Sequence, residues 1–218
     1  MVVVNMKNLF LEMKIKKEMK RFKQFKEYYN FSQKELRVVD NAIYCEDICI
    51  KGKESDEIVG ETDNIINVGY KNHGSATKLL SNLFPYNFYF RGHNLSCAES
   101  FFQGIKFKDK KAQRLVFKMS GTDCNNIKFA QDYNWKEERF VYFMGKKIDR
   151  FAKEYESMVD ELYVSMLLNP LFVNALKNVG EKYIMHSIGL EDKNETVFTR
   201  YEFEKQLNCL KDYCIMYK

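Results

Sequence analysis

With only two prolines, Pro85 and Pro170, in 218 residues, the chain carries few breaks against helix formation. Histidine is nearly as scarce. His73, His93 and His186 are the full set, and the six cysteines contain no C-x-x-C pair. Neither residue type shows a spacing suited to a metal ion, and the chain is larger than the small secreted scaffolds that depend on disulfides. No apolar run approaches the roughly 18 residues of a membrane span, and the opening MVVVNM is too short for the apolar core of a secretion signal. Net charge is missing over most of the chain. Of the formal +5, residues 1–40 hold ten Lys or Arg against five Asp or Glu, and the remainder has 25 of each sign. These absences argue against a metal enzyme, a disulfide framework and a membrane-spanning protein. They leave the expectation of a soluble cytoplasmic protein with free thiols, no metal, no cofactor and no membrane partner.

What is present supports a folded core: 45% of residues are apolar and 15% aromatic. The patterning predicts a mainly α protein with a few short strands, an α+β fold. Residues 1–65 form a basic helical N-terminal extension and 66–218 the main domain. In the extension, Phe10, Met13, Phe22 and Phe25 make an apolar stripe on a helix from Asn8 to about Tyr29, with lysines opposite. The basic face is either a solvated surface or a site that attracts nucleic acid. Ser32-x-x-Glu35 has the spacing of a capping box and predicts a second helix. The stretch 41–53 predicts a strand and turn, and ESDEIVGETDN the seam between extension and main domain.

Further along, NIINVGY predicts a strand and NFYFRGHNLS a hairpin. Residues 96–117 predict helix with a break near Asp109, followed by a loop at SGTDCNN. Asn134 is expected to cap a helix from Trp135 to about Tyr155, and a further helix covers roughly 157–168. Asn169-Pro170 then joins a cap to proline at the first helical position, with Gly180 as terminator. KYIMHSI predicts a short strand, and Thr199-x-x-Glu202 is a third capping box that opens the last helix.

The stretch SCAESFFQGIKF, residues 96–107, leaves two readings open. Ser96-x-x-Glu99 repeats the capping-box spacing, which makes Glu99 a partner of a helix N-terminus. Yet Glu99, Gln103 and Lys106 also fall within about 60° of one another on a helix. Ala98, Phe101 and Ile105 form a separate face that should pack inward, with Phe102 at the border. A carboxylate and a lysine set among aromatics suit general-base or amine chemistry.

The run from Leu79 to Phe107 extends this stretch into a longer motif. Leu80-Ser81-Asn82, Pro85, Ser96-x-Ala98-Glu99, Gln103 and Lys106-Phe107 stand in register with L-S-N-F-x-P, an extended segment, and [ST]-x-E-x-x-x-Q-x-x-K-[FW]. This resembles the opening motif of the NADAR superfamily, also called YbiA-like. Trp135 with Arg139, and Asn169 to Leu176, match its later regions, so the likeness covers roughly residues 66–210. The ending departs from the branch that acts on riboflavin intermediates, where an acidic residue precedes a Trp-Gly pair. Here His186-Ser187-x-Gly189, Thr196 and Thr199 are similar to variants among phage-associated and stand-alone members.

The resemblance implies a compact, mostly helical YbiA-like domain around a cleft, and a hydrolase acting on a bond between ribose C1 and a nitrogen. An ADP-ribosyl glycohydrolase that removes ADP-ribose from a modified guanine base is the leading implication. The alternatives are an N-glycosidase of ribosylamino intermediates of riboflavin synthesis and a non-catalytic module that binds ADP-ribose or a related nucleotide. The implied partners are an ADP-ribose-containing or ribosylamino substrate, with ADP-ribosylated nucleic acid among the candidates. Carried onto this chain, Glu99 and Lys106 are the catalytic candidates. Ser81, Asn82, Arg91, Phe102, Gln103, Trp135 and His186 are the substrate-binding ones. Trp135 offers an aromatic face for base or ribose, or else core packing. Arg91 and the Ser75, Ser81 and Asn82 region are candidates for phosphate, and His186 for phosphate or ribose.

Overall fold

A computed structural model describes residues 6–47, 63–69, 75–127 and 134–217, the side chains of 28–47, 75 and 125 excepted. It shows an α+β fold dominated by helices. The first helix, α1 (Met6–Asp47), is followed by strand β1 (Ile65–Asn67), helix α2 (Ser75–Leu79) and the strands β2 (Phe88–Phe90) and β3 (His93–Leu95). Helices α3 (Ala98–Gly104), α4 (Lys110–Val116), α5 (Gly121–Asn126) and α6 (Trp135–Glu138) come next, then strands β4 (Phe140–Phe143) and β5 (Lys146–Asp149). The chain closes with α7 (Lys153–Met166), α8 (Pro170–Val179), β6 (Tyr183–Met185) and α9 (Arg200–Tyr217).

The strands of the described residues form three two-stranded ladders. β2–β3 and β4–β5 are antiparallel hairpins, whereas β1 and β6 pair in parallel across more than a hundred residues, Ile66 opposite Ile184. Asn208 of α9 braces that parallel pair. Its side chain accepts from the Ile184 amide at 2.9 Å and donates to the Ile184 carbonyl at 2.8 Å. The consequence is positional: the chain just after β6, which begins with His186, is fixed beside Val68 at the end of β1.

Amphipathic helices supply the core. Phe172, Ala175, Leu176 and Val179 of α8 recur at i, i+3, i+4 and i+7 and are all buried. Asn169 caps that helix, accepting from the Leu171 amide at 3.0 Å, and Gly180 ends it at φ +63°. α3 lies inside the molecule, with Ala98, Phe101 and Ile105 fully buried as the inward face. α1 packs on α7 and α9. Phe22 and Phe25 are buried against Tyr213, Lys26 pairs with Asp160 at 2.5 Å, and the Tyr213 hydroxyl donates to Glu18 at 2.9 Å.

Five expectations require correction. Residues 6–47 form one continuous helix, so Ser32 and Glu35 fall inside it rather than at a start. Its apolar stripe is also only half buried, because Phe22 and Phe25 are covered while Phe10 and Met13 are exposed. The strand expected at 41–53 is helical up to Asp47; the rest of it, and most of the expected seam, lie outside the described residues.

SGTDCNN is a helix rather than a loop: Ser120 caps α5 by accepting from the Asp123 amide, and Cys124 is buried beneath it. Cap-forming residues resemble turn residues because both bond to nearby backbone. The helix predicted over 135–155 is cut after one turn, although Asn134 does cap it by accepting from the Lys136 amide. Arg139 is left-handed at φ +60°, and Met144 and Gly145 turn the chain at φ +49° and +89°. Phe140 to Phe143 then alternate between half-buried and buried, the period of a strand.

Candidate functional site

A cleft of about 190 Å³ opens between α3, the loop after β6 and the start of α9. Glu99, Phe102, Gln103 and Lys106 form one wall, with Asn82 beside them. His186, Gly189 and Leu190 form the second, and Thr196 to Arg200 with Phe203 the third. The space falls below the roughly 300–1,000 Å³ that encloses a drug-sized ligand. A ligand as large as a dinucleotide would enter by one end.

The α3 wall answers the question posed by Ser96-x-x-Glu99. Ser96 is not the cap: its hydroxyl donates to the Met119 carbonyl. Cys97 is the cap, and the reciprocal partner is Ser100. The Ser100 amide donates to Cys97 Sγ at 3.3 Å, while the Ser100 hydroxyl accepts from the Cys97 amide at 3.5 Å. The box is displaced by one residue, which leaves the Glu99 side chain out of it. The Glu99 amide donates to the Asn82 carbonyl at 2.9 Å, and its carboxylate accepts from Gln103 Nε2 at 2.6 Å. The opposite end of the Gln103 amide accepts from Lys106 Nζ at 3.0 Å. One glutamine thus bridges a carboxylate and an ammonium, and both charges line the cleft. Asn82 is held in turn by Tyr163, whose hydroxyl donates to Asn82 Oδ1 at 2.6 Å.

The other walls are aromatic and braced from behind. Phe102 stacks on Phe198 with centroids 4.5 Å apart and an interplanar angle of 12°. His186 Nδ1 lies 2.7 Å from the Val68 carbonyl, a pure acceptor, so Nδ1 carries the proton and donates. Burial depresses the His186 pKa, and the nearby Arg200 charge adds to that effect against the opposing Val68 hydrogen bond. The imidazole is therefore held neutral. Behind the third wall, the fully buried Arg150 grips Glu202 with two hydrogen bonds, 3.0 and 2.5 Å, and reaches the Thr196 carbonyl at 3.4 Å. Glu202 closes the capping box of α9 by accepting from the Thr199 amide at 2.8 Å. Burial alone would raise the Glu202 pKa; the Arg150 guanidinium and the Thr199 hydrogen bonds outweigh it and hold the carboxyl low.

Of the residues singled out from the sequence, Asn82, Glu99, Phe102, Gln103, Lys106 and His186 come together here. The others lie elsewhere. Ser81 is buried, with its hydroxyl accepting from the Leu83 amide at 3.3 Å. Arg91 faces another part of the surface and donates to Glu161 at 3.1 and 2.6 Å. Trp135 belongs to the hydrophobic core, with Lys106 Nζ 6.0 Å from its ring centroid. The side chain of Ser75 is outside those described. Sequence reasoning missed Phe198, Arg200 and Phe203 in the cleft and Arg150 behind it. The run VFTRYEF held the signal for the first three, two aromatics and an arginine around a cap.

Fold and cleft together define an α+β protein with a charged pocket walled by aromatics. The chain belongs to the family described as bacteriophage protein GP30.3, whose model matches residues 74–212. That span includes the whole cleft. The uncharacterized 17.1 kDa protein in the Gp30-rIII intergenic region of Enterobacteria phage T4 is 29% identical over 137 residues, which is 61% of this chain and 88% of the phage protein. Among solved structures, that of the E. coli protein YbiA is similar at 13% identity with a TM-score of 0.47, over 72% of this chain and 88% of YbiA.

Proposed function

We propose that this chain is a hydrolase that cleaves a bond between ribose C1 and a nitrogen, and that its substrate is an ADP-ribosyl group on a modified guanine base. The observation that carries the reading is the release of Glu99 from capping duty. The motif that resembles the NADAR superfamily puts a glutamate, a glutamine and a lysine in register, and these three residues face one cleft as a hydrogen-bonded series. Cleavage of an N-glycosidic bond builds positive charge on the ribose, which a carboxylate stabilises. As the C1–N bond breaks and its electron pair leaves with the nitrogen, water oxygen bonds to C1 and gives up a proton to Glu99, which passes it to the leaving nitrogen. Gln103 would keep the carboxylate and the ammonium apart while orienting both.

In a covalent variant of the reaction, deprotonated Lys106 attacks C1, the leaving nitrogen departs with a proton, and the opened sugar is held as a Schiff base until water releases it. The altered pattern from His186 to Thr199 favours a second reading, a module that binds ADP-ribose without turnover.

The deciding experiment incubates the protein with DNA carrying ADP-ribosylated guanine and follows free ADP-ribose by mass spectrometry. Release by the wild type and its loss in Glu99→Gln are the expected pair. Equal release by both proteins would remove Glu99 from the chemistry, and binding without any release would establish the second reading. Borohydride trapping of a protein–sugar adduct, abolished in Lys106→Arg, would separate the covalent route from direct hydrolysis.

A further inference from the structure

Arg200 is the cation of the cleft that the α3 series does not use, and its surroundings leave it badly satisfied. It is the first residue of α9, one-third exposed, and it lines the cleft across from Lys106. Its Nε is shut off from solvent and has no acceptor in hydrogen-bonding geometry. Two carboxylates are close. Glu191 Oε1 lies 2.5 Å from Nε but out of line with the N–H, and Glu204 Oε1, 3.7 Å away, is beyond hydrogen-bonding distance. Buried donors without partners are uncommon and call for an explanation.

Neither carboxylate is a settled counter-ion. Glu204 is committed elsewhere, accepting from the His186 amide at 2.7 Å and the Tyr183 hydroxyl at 3.3 Å, and burial pushes its carboxyl up. Glu191 is 57% exposed on the loop after β6, and an ion pair with so wet a partner contributes little. The backbone nevertheless holds that loop tightly over Arg200. The Arg200 amide donates to the Leu190 carbonyl at 2.8 Å, and a Cβ on Gly189 would lie 2.8 Å from Arg200 Cβ and 3.0 Å from His186 Cδ2.

We propose that Arg200 is the phosphate-binding residue of this cleft, taking a phosphoryl group of the ligand in place of the Glu191 carboxylate. The proposal rests on the ribosyl reading above and places the phosphate end of the ligand at the mouth between Gly189 and α9, with the ribose toward Glu99. A phosphate offers the planar guanidinium two acceptors at once, which a single misaligned carboxylate oxygen does not. Phosphate recognition thereby falls to Arg200 rather than to Arg91, whose guanidinium is taken by Glu161.

The test is calorimetry on the full chain with ADP-ribose and ribose 5-phosphate, and with adenosine and ribose as phosphate-free controls. The wild type should bind the two phosphorylated ligands. Arg200→Gln should weaken both by roughly ten-fold or more, with no effect on the controls. Arg200→Lys should recover only part of the loss, and Glu191→Gln, at an exposed position, should tighten binding a few-fold. Unchanged affinity in Arg200→Gln at a wild-type melting temperature overturns the assignment. So does failure of the wild type to bind either phosphorylated ligand, or weaker binding in Glu191→Gln. Because ADP-ribose is a product, binding is read independently of turnover. Tight, Arg200-dependent binding without hydrolysis would sink the hydrolase reading and leave the phosphate site standing.

Discussion

Glu99 shows how much turns on one residue of register. Had Ser96 been the cap, the carboxylate would be tied to the helix end, and Glu99→Gln would be a stability variant. With Cys97 and Ser100 forming the box, Gln at position 99 can still accept from Gln103 through its amide oxygen, so the fold loses little. The expected outcome is a split: release of ADP-ribose falls by about 10²-fold or more, while unfolding free energy changes by less than about 1 kcal/mol. A thermal melt beside the mass-spectrometric assay measures both. A large drop in melting temperature would return Glu99 to a structural role.

At the scale of elements, the third wall of the cleft depends on the start of α9, where Glu202 serves both Thr199 and Arg150. Removing its charge leaves a fully buried guanidinium without its partner. Glu202→Gln should therefore cost about 3 kcal/mol at pH 7. The sign with pH follows from the lowered carboxyl. Its stabilisation is complete above the unfolded value of roughly 4.3 and is lost as pH falls through the lower folded value. The gap between wild type and variant, from urea titrations at a series of pH values, should narrow only below that range. A gap that narrows already near neutral pH would show that the Arg150 pairing is not its source.

The hairpin β4–β5 makes a similar point about backbone. Gly145 sits at φ +89°, where a side chain is strained, while the atoms a Cβ would meet belong to the flexible end of Lys110. Gly145→Ala should lower stability by about 1–2 kcal/mol through conformation alone, read as a shift of the urea midpoint without a change in slope.

Over the whole molecule, α1 is joined to the core through Phe22 and Phe25, which meet Tyr213, and through the Lys26–Asp160 pair. Phe22 is fully buried, so Phe22→Ala should cost about 3–5 kcal/mol. The same change at the exposed Phe10 should be nearly neutral, although the two residues share one apolar stripe in the sequence. Equal effects in a denaturation series would mean that α1 is not packed as described. Among the described residues no helix is long and apolar enough to cross a membrane, in keeping with the absence of long apolar runs.

The sequence by itself determined what depends on near neighbours. The hairpin around Gly92, the break at Asp109, the Asn169-Pro170 start, the Gly180 stop and the Thr199–Glu202 box are all interactions within a few residues, and all are present. Helical spacing also set Glu99, Gln103 and Lys106 on one side of α3 and the turn that ends it, and the buried Ala98, Phe101 and Ile105 on another. Tertiary structure decided what those groups meet. Met119, more than twenty residues away, claims the Ser96 hydroxyl and so moves the cap to Cys97; Glu161 claims Arg91; and the parallel pairing of β1 with β6 brings His186 and Arg200 to the α3 wall. Local patterns record which conformations a segment prefers. Which hydrogen-bond partner a side chain takes is settled by burial among distant segments, where every polar group taken out of water must find a partner.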